Sequence, residues 1–416
     1  MKHLILGNGP AGVLAAETLR HLAPDDEILL GGSEAEPPYS RMAIPYLLEG
    51  SIDESGTYLR KSAGHYDGLR IRQRQGRAVA LNTEQQTVLF ADGQFEAYDR
   101  LLIATGSRPV RPPIPGIDLP QVQTCWTLDD ARAIARLARP GARVLQLGAG
   151  FIGCIIMQAL TRRGVQLTVV ELGDRLVPRM MTPAAGGMIK RWVEKQGVRV
   201  LTRAGVDFIA QGEEAPLTVT LSTGEKLACD LLIVAAGVAP NVAFLEGTAV
   251  HVAKGVLVDD SMQTSVAGIY AAGDVAEAPD LYAGRHLVAA IQPNAADQAR
   301  IAAVNMAGQR KARMKGVLAI NVLDSLGMIS SSFGEWQGVA GGDGVEQVDE
   351  RNGRYISLQF DGEVLIGATA IGLTEHVGAL RGLIQGRMKL GAWKRRLLET
   401  PTRFADAFIA CQRPNS

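Results

Sequence analysis

The stretch Leu4–Arg20, LILGNGPAGVLAAETLR, runs from an apolar segment through a GxGxxG turn into residues at helical spacing. A second stretch, Val144–Gly164, VLQLGAGFIGCIIMQALTRRG, repeats the same order and the same glycine spacing roughly 140 residues later. In such a turn the first glycine (Gly7, Gly148) lets the chain reverse tightly and the second (Gly9, Gly150) lets the backbone approach a pyrophosphate. The third (Gly12, Gly153) lets the helix pack on the strand while its N-terminal N–H groups face the phosphates. Pro10 and Ala11 open the first helix, Phe151 and Ile152 the second. One GxGxxG is a weak signal. Two of them, each between a strand pattern and a helix pattern, predict an α/β fold with two Rossmann-like dinucleotide-binding domains related by internal duplication.

Around these stretches the 416 residues carry 43 Lys plus Arg against 43 Asp plus Glu. That zero net charge argues against a nucleic-acid partner. No apolar run approaches the roughly 18 residues of a membrane span, and the chain enters its first strand without a charged leader, so a cytoplasmic location is expected. The four cysteines, Cys125, Cys154, Cys229 and Cys411, are too scattered for a CxxC pair, a zinc site or an iron–sulfur ligand run, and no metal site is predicted. Strand-and-turn punctuation divides the chain into residues 1–118 and 254–312 as the first dinucleotide domain, 119–253 as the second, and 313–416 as a C-terminal α+β domain.

A carboxylate at the end of the second strand of each unit is needed to accept hydrogen bonds from a ribose. In the second unit it is Glu171, about 20 residues beyond Gly148, where it repels a 2′-phosphate and favours NADH over NADPH. Arg175 nearby is suited to welcoming that phosphate. In the first unit the candidate is Glu34, with Ser33 and Glu36 competing.

Three further segments carry a family resemblance. YDRLLIATGSRP (Tyr98–Pro109), AAGVAPN (Ala235–Asn241) and TSVAGIYAAGDVAE (Thr264–Glu277) resemble, in the correct order over roughly residues 1–310, the signatures of FAD-dependent pyridine nucleotide–disulfide oxidoreductases. The resemblance implies FAD in the first cradle and NADH in the second. It implies that Ala104, Thr105, Gly106, Gly273 and Asp274 close on FAD, with Asp274 binding the ribitol hydroxyls. It places Val79 in the FAD set and Gly237 in the NAD set. The helix opened by Gln292 and Pro293 would face the flavin, where its positive end stabilises the anion formed on reduction.

Pro38-Tyr39-Ser40-Arg41 is similar to the nitrite-reductase and rubredoxin-reductase branch, in which a Tyr-x-Arg loop lies along the flavin. Arg41 then pairs with a phosphate, or else forms a surface salt bridge. Met42 stands where that family's redox cysteine falls, and a thioether forms no thiolate. Ile155 stands where the family often has a Glu reaching the nicotinamide.

These residues imply hydride exchange between NADH and FAD, and electron exchange with an iron–sulfur protein or partner subunit, in either direction and with no catalytic side chain. Over its whole length the chain is similar to NAD-linked FAD subunits of 2-oxoacid:acceptor oxidoreductases of the phenylglyoxylate dehydrogenase kind, and is expected in an oligomer or complex. A stand-alone rubredoxin or ferredoxin reductase, an NADH oxidase, and a non-catalytic flavin-bound scaffold or sensor are the competing readings. The C-terminal segment resembles that branch's interface domain. Its basic residues Arg387, Lys389, Lys394, Arg395 and Arg396 either dock an acidic iron–sulfur protein or form a solvated helix face.

Overall fold

The computed structural model describes residues 1–282, 284–308 and 312–412. Its principal strands are β1 (Lys2–Leu6), β2 (Glu27–Gly32), β3 (Ile71–Gln75), β4 (Arg100–Ile103), β5 (Val122–Gln123), β6 (Arg143–Leu147), β7 (Gln166–Glu171), β8 (Arg199–Thr202), β9 (Leu231–Val234) and β10 (Ile269–Ala271). A C-terminal set follows: β11 (Ile320–Ser325), β12 (Met328–Gly334), β13 (Asp343–Asp349), β14 (Arg354–Asp361) and β15 (Val364–Ile371). The helices that matter for the site are α1 (Pro10–Leu22), α2 (Phe151–Arg162), α3 (Pro183–Lys195) and α4 (Gln292–Met306).

These elements gather into two compact units, one of residues 1–43, 52–108 and 238–318, the other of residues 44–51, 109–237 and 319–416. The first is built on a parallel sheet in the order β10-β4-β1-β2-β3. Its central strands are short apolar runs such as Leu4-Ile5-Leu6 and Leu101-Leu102-Ile103, all buried, as a parallel sheet covered on both faces requires. On this sheet α1 packs against α4, and half of the buried residues of the two helices are alanine: Ala11, Ala15 and Ala16 on one, Ala295, Ala299, Ala302 and Ala303 on the other. Side chains this small let two helix backbones come close together. A three-stranded antiparallel sheet (Ala78–Asn82, Thr87–Phe90, Phe95–Ala97) completes the hairpin pattern around Asp92-Gly93.

The second unit repeats the parallel plan in the order β8-β7-β6-β9-β5. It also carries an antiparallel sheet in the order β11-β12-β15-β14-β13, which is the strand-and-turn texture of the C-terminal sequence. Against β11 lies α2, and the Trp192 indole of α3 donates to the Leu326 carbonyl at 3.0 Å. Ser332, Thr369 and Ser357 form one cross-strand row of this sheet and are all buried. The basic C-terminal stretch forms two helices, Val377–Gln385 and Ala392–Glu399. Among the described residues no helix is long and apolar enough to cross a membrane.

Candidate functional site

The two glycine turns are duplicates at the level of single atoms. Gly7 and Gly148 have φ of +116° and +102°, a region that suits glycine. Each donates its N–H to the neighbouring strand, Gly7 to Gly31 O at 2.7 Å and Gly148 to Val170 O at 2.8 Å. A methyl group on Gly12 would sit 1.7 Å from Gly7 O, and one on Gly153 would sit 2.5 Å from Gly148 O, so both helices start too close to the turn for any side chain. At Gly9 and Gly150 the same methyl would meet nothing within 4 Å. Open space therefore lies at the position where each turn admits a ligand.

The helix ends match this geometry. Gly9, Gly150 and Ile291 are the N-caps of α1, α2 and α4; none offers a capping side chain, and none of the three helices has an acid in its first turn. By contrast, Thr127 and Asp130 cap the helix Leu128–Leu137 with a reciprocal capping box, and the Thr182 hydroxyl caps α3. Uncapped N–H groups with a positive dipole end suit a phosphate or a developing anion. The C-terminal helices Val377–Gln385 and Ala392–Glu399 also lack a capping side chain, so it is the combination of a free helix end with a glycine turn or the Gly273 turn that makes α1, α2 and α4 fit the cofactors the sequence assigns to them.

Glu171 ends β7 and is buried, and both of its oxygens are engaged: Ala149 N–H donates to Oε2 and Gly173 N–H donates to Oε1, each at 2.7 Å. The acid thus ties the glycine turn to the loop after the strand and retains lone pairs for further donors. Arg175, the sequence candidate for a 2′-phosphate, is turned to other work. It bonds Asp174 at 2.7 Å, Met181 O at 3.0 Å and Pro178 O at 3.3 Å, with the side chain 17% exposed. Phe151 and Ile152 form the first turn of α2, and Gly237 takes a φ of +111° beyond β9.

In the first unit the strand register supplies a difference. Leu6 pairs with Gly31 as Leu147 pairs with Val170, so the counterpart of Glu171 is Gly32. A methyl on Gly32 would fall 2.3 Å from the Asn8 amide, which fills the place of a carboxylate there. Ser33 and Glu34 lie just beyond the strand. Glu34 accepts from Arg41 and from the Tyr39 hydroxyl, both at 2.6 Å, so two candidates the sequence assigned separately are each other's partners. Met42 is 47% exposed. Val79 is the extra residue of a bulge between Ala78 and Ala80, with its side chain exposed.

Ala104, Thr105 and Gly106 leave β4 in a turn held by Asn241, whose side-chain amide donates to Thr105 O while Thr105 Oγ1 donates to Asn241 O, both at 2.9 Å. Gly273 has a φ of +83°; a methyl on it would lie 3.2 Å from Ala11 Cβ and 3.7 Å from Ala295 Cβ, which puts it where the first turns of α1 and α4 converge. Its N–H donates to Gln298 Oε1 at 2.8 Å. Gln292 Oε1 accepts from Ser40 Oγ at 3.3 Å, and Pro293 follows in the first turn of α4. Asp274 accepts from Ser107 Oγ at 2.9 Å. Asn241, Ser107 and Gln298 hold the site together; Asn241 and Ser107 stand inside the quoted motifs and Gln298 in the helix opened by Gln292, but nothing in the sequence singles them out within those segments.

Burial pushes the Asp274 carboxyl above the ordinary carboxylate range, with the Ser107 bond and the charge of Arg41 opposing. An acid whose folded pKa is raised contributes stability below its unfolded pKa of about 3.9 and loses it as pH rises through the folded value. Asp274→Asn is therefore expected to raise the melting temperature of the flavin-free protein at neutral pH, with the gain vanishing below about pH 4. A neutral-pH melting temperature at or below wild type contradicts the assignment of an uncompensated buried charge here.

Two dinucleotide cradles, with helix ends free of capping side chains and a buried carboxylate beside the second, define an oxidoreductase that uses FAD and NAD(H). The chain belongs to the pyridine nucleotide-disulphide oxidoreductase family, whose model matches residues 1–304. It is 31% identical over 404 residues to the NADH-dependent phenylglyoxylate dehydrogenase subunit epsilon of Aromatoleum evansii, covering 96% of this chain and 95% of that one. It is also 31% identical to the rubredoxin-NAD(+) reductase of Pseudomonas putida, covering 74% and 80%. Among solved structures, the ferredoxin reductase for the CYP199A2 system of Rhodopseudomonas palustris superposes with a TM-score of 0.81 at 27% identity, covering 89% and 91%. The covalent putidaredoxin reductase–putidaredoxin complex shares the fold with a TM-score of 0.90 at 22% identity, covering 99% of each chain.

Proposed function

We propose that this protein exchanges electrons between NADH and an iron–sulfur protein or partner subunit through FAD, as the NAD-linked subunit of a 2-oxoacid:acceptor oxidoreductase of the phenylglyoxylate dehydrogenase kind. Residues 1–118 and 254–312 make the flavin half, 119–253 the NAD half and 313–416 an interface domain. The observation that carries the electron-transfer reading is that the unit holding the flavin residues contains no cysteine: all four lie in the other unit. Burial also pushes the thiols of Cys125, Cys154 and Cys229 up to about 12, so they are protonated and unreactive at neutral pH. The near end-to-end match to a subunit of a multisubunit dehydrogenase supports the assembly.

When bound, FAD supplies the two-electron to one-electron chemistry, and the chain's task is to bind and orient. Gly7, Gly9, Pro10, Ala11 and Gly12 present the amide end of α1 to the FAD pyrophosphate, and Arg41 adds a guanidinium beside Ser33 and Glu34. Met42 and Val79 line the same cofactor. Asp274 accepts hydrogen bonds from a polyol, and the end of α4 at Gln292 and Pro293 favours negative charge. Gly148, Gly150, Phe151, Ile152 and Gly153 repeat the phosphate cradle for NADH, with Glu171 on the ribose and Gly237 completing the set. Glu171 beside a tethered Arg175 supports NADH over NADPH.

Anaerobic titration of the purified protein with NADH and NADPH, following flavin bleaching, tests the reading. Bleaching by NADH and reoxidation by iron–sulfur proteins, with slow reoxidation by oxygen and disulfides, is the expected pattern. Met42→Ala is expected to keep turnover, since a thioether offers no thiolate for a relay and its removal takes away only packing beside the flavin. Loss of turnover, or protein that carries no flavin, contradicts the proposal.

A further inference from the structure

We propose that Tyr355, from the C-terminal sheet, is a positioning residue for the dinucleotide: through Thr182 and α3 its hydroxyl sets the loop that carries Glu171. This rests on the reading that the second cradle holds NAD(H).

The chain of contacts lies within one unit. Ala149, the middle residue of the GAG turn, has both backbone groups engaged by this loop: its N–H donates to Glu171 and its carbonyl accepts from Val177 N–H at 2.8 Å. Val177 is β-branched and buried at a φ of +44°, a strained conformation that persists only where its surroundings hold it. Its carbonyl accepts from the N–H groups of Met180 and Met181, and Arg175 ties Met181 O back to Asp174. The next residue, Thr182, caps α3, accepting the Ala185 N–H. On α3 the absence of a side chain at Gly186 admits the loop: a methyl there would lie 2.7 Å from Leu176 O and 2.9 Å from Arg175 Cδ. The position of α3 therefore fixes the position of the loop.

What fixes α3 is the C-terminal sheet. The Tyr355 hydroxyl lies 2.7 Å from Thr182 Oγ1 and donates to Glu346 Oε1 at 2.5 Å. Because its proton is committed to a carboxylate, which only accepts, the bond to Thr182 runs from Thr182 to Tyr355. The cap hydroxyl thus accepts from its helix and donates to the sheet, with Tyr355 at 2.7 Å the near acceptor and Glu346 Oε1 at 3.4 Å the far one. Tyr355 is 1% exposed, and burial together with Glu346 pushes it up to about 12, so the hydroxyl stays protonated. Arg191 to Glu350, at 2.7 Å, and the Trp192 bond to Leu326 O secure the rest of the helix.

The test is calorimetric titration of the purified flavoprotein with NAD+. Tyr355→Phe keeps the buried ring and removes the hydroxyl with both of its hydrogen bonds, of which the one to Thr182 is the link to α3, so the Kd is expected to rise about fivefold. Thr182→Val should reproduce that rise, Thr182→Ser should retain wild-type affinity, and the double variant Tyr355→Phe/Thr182→Val should be no weaker than either single one. Glu171→Ala serves as the control for the cradle. If Glu171→Ala weakens binding while Tyr355→Phe lowers only the melting temperature, Tyr355 is merely structural and the proposal falls while the cradle stands. If Glu171→Ala also binds NAD+ like wild type, the cradle reading falls and takes the proposal with it. Should Tyr355→Phe fail to fold, the contrast between Thr182→Val and Thr182→Ser decides alone.

Discussion

Gly9→Ala is expected to yield a folded protein that has lost its flavin, while Gly12→Ala is expected to lose both flavin and stability. The two substitutions add the same methyl group within one turn, and the structure separates them. At Gly9 the backbone is extended, with φ of −74° and ψ of −172°, which any residue adopts, and the methyl meets nothing within 4 Å. The flavin-free fold has no reason to change by more than about 0.5 kcal/mol. The methyl does occupy the space through which a pyrophosphate reaches the amide end of α1, so flavin retained per chain should fall at least about tenfold, a loss near 1.4 kcal/mol of binding. At Gly12 the methyl lands 1.7 Å from Gly7 O, backbone against helix, and no rotamer relieves it. The helix must lift from the sheet, at a cost of about 3 kcal/mol. Visible absorbance per chain and thermal unfolding of both variants check this; full flavin content in Gly9→Ala would remove the first turn from the cofactor site.

The same turns explain why the fold was legible. A glycine that reverses a chain at positive φ, and another that lets a helix touch a strand, are local requirements written at fixed spacing, and the duplication made them visible twice. Parallel strands buried on both faces are equally local, as continuous apolar runs. The acid of the first unit was harder to place. The rule of an acid at the end of the second strand points to Glu34, with Ser33 and Glu36 competing, yet the register puts Gly32 in the position matching Glu171 and gives its space to Asn8, a substitution between residues distant in sequence. The bonds of Asn241 to Thr105 and of Thr182 to Tyr355 span 136 and 173 residues, and no periodicity encodes a contact of that range. Arg175 shows the opposite limit: its charge suggested a phosphate site, but three nearby acceptors take its donors first.

Removing the Glu171 carboxylate is expected to weaken NADH binding by about 10- to 100-fold, because it deletes a charged acceptor that serves both protein and ligand. In Glu171→Ala the N–H groups of Ala149 and Gly173 lose their partners, the loop after β7 loosens, and stability falls by about 2 kcal/mol. Glu171→Gln is a sharper probe. Its one carbonyl oxygen can serve only one of those two N–H groups, and its amide then turns a donor toward the other, so stability should fall nearly as far as in the alanine variant despite the preserved shape. NADPH affinity should suffer less than NADH affinity, since the lost charge had opposed the 2′-phosphate, and the preference between them narrows. It should not invert, because Arg175 remains on Asp174, Met181 O and Pro178 O with no donor turned outward by the substitution. Inversion becomes possible only when Asp174→Ala is added and one arm of that guanidinium is released. Calorimetric titration of the single and double variants with both nucleotides distinguishes the cases: a Glu171→Ala protein that already prefers NADPH would mean that Arg175 leaves its loop at little cost, and an unchanged NADH affinity would take Glu171 off the ribose.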